Sequence, residues 1–246
     1  MAGHSKWANI KHRKGAQDAR RAKVFTKVAR EISVAAREGG GDPENNSRLR
    51  SAIAAARAVN MSNDRIDKAV KKGTGESAAS SYEQVVYEGY GPGGVAIFVN
   101  ALTDNRNRTT AEVRHLLTKF GGELGAPNSV AWMFDRKGSI TVPASAVAEE
   151  GLLEIVLEAG AEDVTLEGSS FEIVTPPDSL DRVRDALEAA EVPMSAAEMS
   201  MLPQNFVPVE GAKAETLLTL LSSLEDHDDV QQVSANCEVS EAAAES

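Results

Sequence analysis

The sequence predicts an α+β multidomain protein, in which an N-terminal three-helix bundle precedes an α+β domain carrying an inserted ferredoxin-like βαββαβ domain. Three features predict it. Apolar residues recur at helical spacing up to about Gly73 and change to strand-like runs from Tyr82. The stretch between them, TGESAASS, is small and polar, the composition of a linker. Residues 138–202 then read strand, helix, strand, strand, helix, strand, which is the order of a ferredoxin-like split unit. The expected boundaries follow: a mobile basic arm over 1–15, the bundle over 16–73 and the linker over 74–81. A discontinuous α+β domain over 82–136 and 204–237 holds the insertion at 137–203, and a disordered acidic tail takes 238–246.

Each element has a local reason. The arm, MAGHSKWANIKHRKG, has neither a helical nor an alternating period. A helix from about Ala16 to Glu38 puts Val24, Phe25, Val28, Ala29, Ile32, Ala35 and Ala36 on one face and Arg20, Lys23, Lys27 and Arg30 on a separate stripe. Gly39, Gly40 and Gly41 end it, and Asp42-Pro43 opens a second helix that runs to about Asn60 on Leu49, Ile53 and Ala56. Ser62 caps a third, with Ile66 and Val70 inward and Gly73 past its end. Tyr82 to Tyr87 and Val95 to Leu102 read as a hairpin about the glycine-rich turn, and Thr109 to Phe120 as a helix opened by a capping box of Thr109 and Glu112. Ser129 to Phe134 reads as a strand.

The insertion follows as strand Ser139 to Val142, a helix over about Ala144 to Ala159, strands Asp163 to Leu166 and Phe171 to Thr175, helix Ser179 to Ala190 and strand Ser195 to Met201. Past Pro203, a short strand near Val207, a helix from about Lys213 to Leu224 and a strand near Val230 to Ala235 are placed to complete the sheet begun at Tyr82.

Charge is divided along the chain. Residues 1–72 carry 17 basic and 7 acidic side chains, net +10, whereas residues 73–246 carry 9 basic and 30 acidic, net -21. One end attracts polyanions and the other repels them. No apolar run reaches the ~20 residues of a membrane span, and the basic first thirty residues lack the apolar core of a secretory signal, so a cytoplasmic location is expected. The single Cys237 has no cysteine partner for a disulfide or a zinc ribbon.

Catalytic constellations are missing at the level of motif. Residues 89–94 match G-x-G-x-x-G, but the β-branched run that follows is a strand and not the helix a dinucleotide needs. No Walker loop, nucleophile elbow or His-Glu-x-x-His occurs. His227 beside Asp226, Asp228 and Asp229 reads as a solvated acidic turn, since a metal site also needs convergent geometry. The sequence therefore predicts no enzyme, cofactor, metal or small-molecule substrate.

Nucleic acid is the expected partner. Lys6, Trp7, Lys11, Arg13 and Lys14 mix cations with an aromatic face able to stack on an unpaired base, unless Trp7 and Ile10 fold back onto the bundle. Arg20, Arg21, Lys23, Lys27 and Arg30 extend this along a helix for about 15 Å, long enough to follow a phosphate backbone. A second basic island, LTDNRNRT, brings Arg106 and Arg108 ahead of Arg114, His115 and Lys119. Its Asn and Arg side chains either bind phosphates and base edges or shape a strand-to-helix turn. The acidic domains offer a surface for a protein partner, which leaves an interaction adaptor as a less favoured reading.

These stretches together resemble the YebC family. The resemblance rests on GHSKWANIKHRKGAQDARRAKVFTK, GGGDPENNSRLRSAI, NMSNDRIDKAV, KKGTGE, YEGYGPGGVAI, LTDNRNRTTAEVRH and FGGELG, and it continues through LEAGAEDV and PQNFVPVE, covering about residues 2–238. Ser62 stands where the family usually has Pro, and Pro127-Asn128 replaces an Asp-Gly-like turn. The resemblance implies the same three-domain order. It also implies a DNA-binding transcriptional regulator, with an RNA- or ribosome-associated translation factor as the alternative, because mitochondrial relatives activate translation. It carries the family's basic N-terminal motif onto Lys6, Lys11, Arg13, Lys14, Arg20, Arg21, Lys23 and Lys27.

Overall fold

A computed structural model describes residues 17–75 and 82–239, with side chains described from Lys23 onward. The expected arm, most of the linker and most of the acidic tail lie outside those residues. The described residues fall into two compact units. One takes the chain up to Ala131 together with Gly211–Ala235, and the other takes Trp132–Glu210 with the described residues from Asn236.

The first unit opens with α1 (Gln17–Gly39), α2 (Ser47–Ala58) and α3 (Asn63–Gly73). Ile32, Ala35 and Ala36 of α1 close on Leu49, Ala52 and Ala56 of α2 and on Ile66 and Ala69 of α3, all buried. This is the apolar face that the helical period selects. Small residues let α1 and α3 approach closely: the Ser33 hydroxyl donates to Ala69 O at 2.9 Å, and a Cβ on Gly73 would meet Ser33 O at 2.2 Å.

Helix α2 starts four residues after Pro43, because Asn46 is the better cap. Its Oδ1 accepts from Leu49 N–H at 3.0 Å while its Nδ2 donates to Ala35 O and Gly40 O, both at 2.8 Å, so one side chain closes the end of α1 and the start of α2. Ser62 sits at the N-cap of α3 without a side-chain capping bond.

The sheet of this unit comprises β1 (Glu83–Tyr90), β2 (Ala96–Thr103), β3 (Glu123–Leu124) and β9 (Val230–Ala235), in the antiparallel order β3-β1-β2-β9. Helices α4 (Arg106–Lys119) and α7 (Gly211–Glu225) pack on it through Val113, Leu117, Leu217, Leu220, Leu221 and Leu224, each at most 1% exposed. Helix α4 begins three residues before the expected Thr109. Asn105 is its N-cap, with Oδ1 accepting from Arg108 N–H at 3.1 Å, and Thr109 is buried inside it.

The expected strand at Ser129 to Phe134 is instead a loop and a 3₁₀ turn over Ala131–Met133. The buried Glu88 carboxylate accepts from the backbone N–H groups of Asn128 at 2.7 Å, Val130 at 2.8 Å and Ala131 at 2.7 Å, and so withdraws them from any ladder. Asn128 takes φ 67°, a left-handed conformation that asparagine tolerates.

The second unit contains the inserted fold as β4 (Phe134–Pro143), α5 (Glu149–Glu158), β5 (Asp163–Glu167), β6 (Ser170–Thr175), α6 (Leu180–Ala189) and β7 (Ala196–Pro203). The strand order β5-β6-β4-β7, antiparallel throughout, is that of a ferredoxin-like sheet. Ile140, Val142, Phe171 and Ile173 pack against Leu152, Val156, Val183 and Leu187 of the two helices. The strand near Val207, β8 (Val207–Val209), does not join the first sheet. It pairs in parallel with β10 (Cys237–Val239), which the sequence reading did not anticipate.

Candidate nucleic-acid interface and the Asp229 cluster

The cations of α1 meet the end of α7. A helix C-terminus leaves carbonyls without intrahelical donors and carries partial negative charge. Lys23, Lys27 and Arg30 lie at the i, i+4 and i+7 positions of one helical face and supply those donors. Lys27 donates to Glu225 O, Lys23 to Asp226 O at 3.1 Å, and Arg30 to Asp228 O at 2.6 Å. Nearby, the Tyr82 ring receives the Arg30 guanidinium at 5.3 Å and the Lys72 ammonium at 4.9 Å, and its carbonyl accepts from Arg37. Helices α1 and α3 are thus tied to the start of β1.

Asp229 is the hub of this arrangement. Its side chain is 3% exposed, and its carboxylate accepts from Arg30 and Thr109 at 2.6 Å each, from Arg108 at 2.8 Å and from Thr103 at 3.2 Å. Burial alone would raise its pKa, but the Thr109 and Arg108 hydrogen bonds and the Arg30 and Arg108 charges outweigh that and hold it at about 2. The Asp229 N–H donates to His227 Nδ1 at 3.1 Å, which leaves the Nε2–H to face Glu112 Oε2 at 2.9 Å.

The expected solvated turn at 226–229 is therefore half right: Asp226 is exposed, whereas Asp229 is sealed in. Glu112, His227 and Asp229 bring ligand atoms within 4.8 Å of one another. Both Asp229 oxygens already hold guanidinium groups, and this positive surround suits a closed ion-pair cluster better than a cation.

The candidate contacts divide accordingly. Lys6, Trp7, Lys11, Arg13 and Lys14 lie outside the described residues. Arg20 and Arg21 are on α1, and their side chains also lie outside the description. Lys23, Lys27, Arg30 and Arg108 hold the cluster just described, and Arg108 also pairs with Asp104 at 3.0 Å. Arg106 is exposed at the start of α4, where it borders an open cavity with Gln84, Val86, Glu88, Phe98 and Asn128. Sequence reasoning missed Asp229 as an organiser, and the only local signal was a carboxylate beside a strand made of apolar residues. The other chemical candidate, Cys237, is buried, and burial pushes its thiol up to about 11, away from nucleophilic use.

Residues 5–76 match the TACO1/YebC protein N-terminal domain, and residues 82–237 match the TACO1/YebC second and third domain. The chain belongs to the TACO1/YebC family. A "Probable transcriptional regulatory protein" of Carboxydothermus hydrogenoformans is 57% identical over 97% of this chain and 99% of its own. Another protein of that name, from Natranaerobius thermophilus, is 55% identical over 100% and 99%. Among solved structures, a conserved hypothetical protein of Aquifex aeolicus superposes with a TM-score of 0.89 at 50% identity, covering 96% of this chain and 97% of that one. The TACO1/YebC fold is thus shared along nearly the whole chain, as the sequence motifs implied. Among the described residues of this family member, no helix is long and apolar enough to cross a membrane.

Proposed function

We propose that this TACO1/YebC protein is a cytoplasmic nucleic-acid-binding regulator that acts on DNA to control transcription and catalyses no reaction. The observation that carries the reading is the division of charge, +10 over residues 1–72 against -21 over the remainder. A polyanion meets a local patch and not the net charge, so an overall pI near 4.9 is compatible with binding. The relatives' name, transcriptional regulatory protein, supports the same reading. Lys6, Trp7, Lys11, Arg13, Lys14, Arg20 and Arg21 are the proposed contacts ahead of the cluster, since Lys23, Lys27 and Arg30 are already engaged by α7 and its following turn. In this scheme the arm and the start of α1 carry the contacts, and the acidic segments limit unspecific adhesion by repulsion.

The test is a salt titration of duplex DNA binding by fluorescence anisotropy. With Lys6, Lys11, Arg13 and Lys14 all replaced by Ala, the log-log salt slope flattens by up to about four units. An unchanged slope removes the arm as the contact surface. Sedimentation of lysate with and without RNase separates the targets: wild-type protein travelling with ribosomes, and released by the same substitutions, would move the function from transcription to translation.

A further inference from the structure

Residues 73–246 contain nine cations among 30 carboxylates, and four of the nine stand on the fourteen residues of α4: Arg106, Arg108, Arg114 and Lys119. The structure sorts these nine by use. Lys137 pairs with Glu162 at 2.7 Å, Arg184 with Asp181 at 2.9 Å, and Arg182 donates to Ala159 O and Ser179 Oγ. Arg108 is drawn to Asp229 and Asp104. Arg106, Arg114, Lys119, Arg136 and Lys213 remain, exposed and without an ion pair among the described residues, while Lys119 keeps a contact 5.1 Å from the Phe120 ring.

Three of the five, Arg106, Arg114 and Lys119, stand on α4. Thr109, Val113 and Leu117 define the buried side of α4. Asn107, Ala111, Arg114, His115 and Thr118 fall within about 100° of arc on the opposite side, and all are exposed. Glu112 is the only acidic residue on the helix, and its carboxylate is taken by His227 at 2.9 Å, with Arg108 at 4.0 Å. Asp104, just before the helix, is taken by Arg108. The carboxylates beside this face are thus held by Arg108 and His227, while Arg114 and Lys119 are left open.

We infer that the exposed side of α4 is a second nucleic-acid contact surface, separate from the N-terminal arm, with Arg114 and Lys119 flanking it and Arg106 at its N-terminal end on phosphates, and Asn107 and His115 able to hydrogen-bond along the backbone. This rests on the nucleic-acid reading above. Arg106 to Lys119 spans about 20 Å of helix axis, enough to reach several successive phosphates. A helix that places Asn and Arg in its first turn and further cations on either side of its exposed arc also matches the size and polarity of a nucleic-acid groove.

The experiment compares salt titrations of full-length wild type with the triple variant Arg106→Gln, Arg114→Gln and Lys119→Gln, using a short duplex DNA and a short single-stranded RNA as probes. Each lost phosphate contact lowers the slope by about 0.9 on duplex and about 0.7 on single strand, so a drop of two to three units is expected. It adds to the loss caused by the arm substitutions. Arg136→Gln with Lys213→Gln removes two exposed cations elsewhere and is expected to leave the slope at the wild-type value. Arg114→Glu alone should weaken binding more than Arg114→Gln, and melting curves check that each variant is folded. A triple variant that keeps the wild-type slope while the arm variant loses it overturns this inference and leaves the proposed function standing. A wild type that binds neither probe overturns both.

Discussion

At the scale of single residues, Asp229 and Glu172 show opposite consequences of a buried carboxyl. Asp229 is surrounded by donors and cations that hold its pKa at about 2, below the usual 3.8. Its contribution to stability is complete above the unfolded value and is lost as pH falls from about 4 through about 2. Asp229→Asn should remove that acid-side loss. It should also destabilise the first unit by about 3 kcal/mol at neutral pH, because Arg30 loses its buried partner. A urea titration at pH 7 and pH 3 measures both effects.

Glu172 lies on β6 and is raised from 4.5 to about 7 by burial first, then by Glu167 and Glu198. Here the folded state favours the protonated acid, so stability is highest below about pH 4.5 and falls as pH rises to about 7. Glu172→Gln should raise the melting temperature at pH 8 while changing little at pH 4, a gain of about 2 kcal/mol. A thermal melt that gains equally at both values would refute the assignment. Neither behaviour was legible in the sequence, where both residues are carboxylates in acidic surroundings.

Among the elements, type and order were legible and starting points were not. The helical period located α1 to within one residue at each end, since a long stripe of Val, Ile and Ala admits one face only. The starts of α2 and α4 fell elsewhere because Asn46 and Asn105 cap them in place of the expected residues. Asn46 also holds the carbonyls of Ala35 and Gly40, and Thr109, expected as a cap, is drawn inward to Asp229. The loop at 126–131 replaced a strand because Glu88, forty residues upstream, binds its N–H groups.

Gly73 carries a prediction at this scale. The α1–α3 approach leaves no room for a Cβ between Ser33 O at 2.2 Å and the Ala36 methyl at 2.8 Å. Gly73→Ala should therefore cost about 1–3 kcal/mol despite its better helix propensity. Differential scanning calorimetry reads this as a lower melting temperature for the first unit.

For the molecule as a whole, the two units interleave along the chain, so residues distant in sequence complete each other's cores. Strand β9 enters the sheet of β1 and β2 after the inserted fold has been traversed, and β10 pairs with β8 in the other unit. The charge division runs along the same chain. In the first unit the acidic turn after α7 meets the basic stripe of α1, and a large part of the apparent polyanion-binding surface is thereby used internally.

By itself, the sequence determined the α+β class, the order of the elements, the ferredoxin-like insertion, the charge division and the family. All of these reside in local period, local composition or contiguous motifs. Only the tertiary structure decided which cations remain available. Arg30 and Asp229 are 199 residues apart, and Arg108 and Asp229 are 121 apart. Whether two charges neutralise each other depends on their distance and burial after folding, and no spacing rule along the chain encodes that.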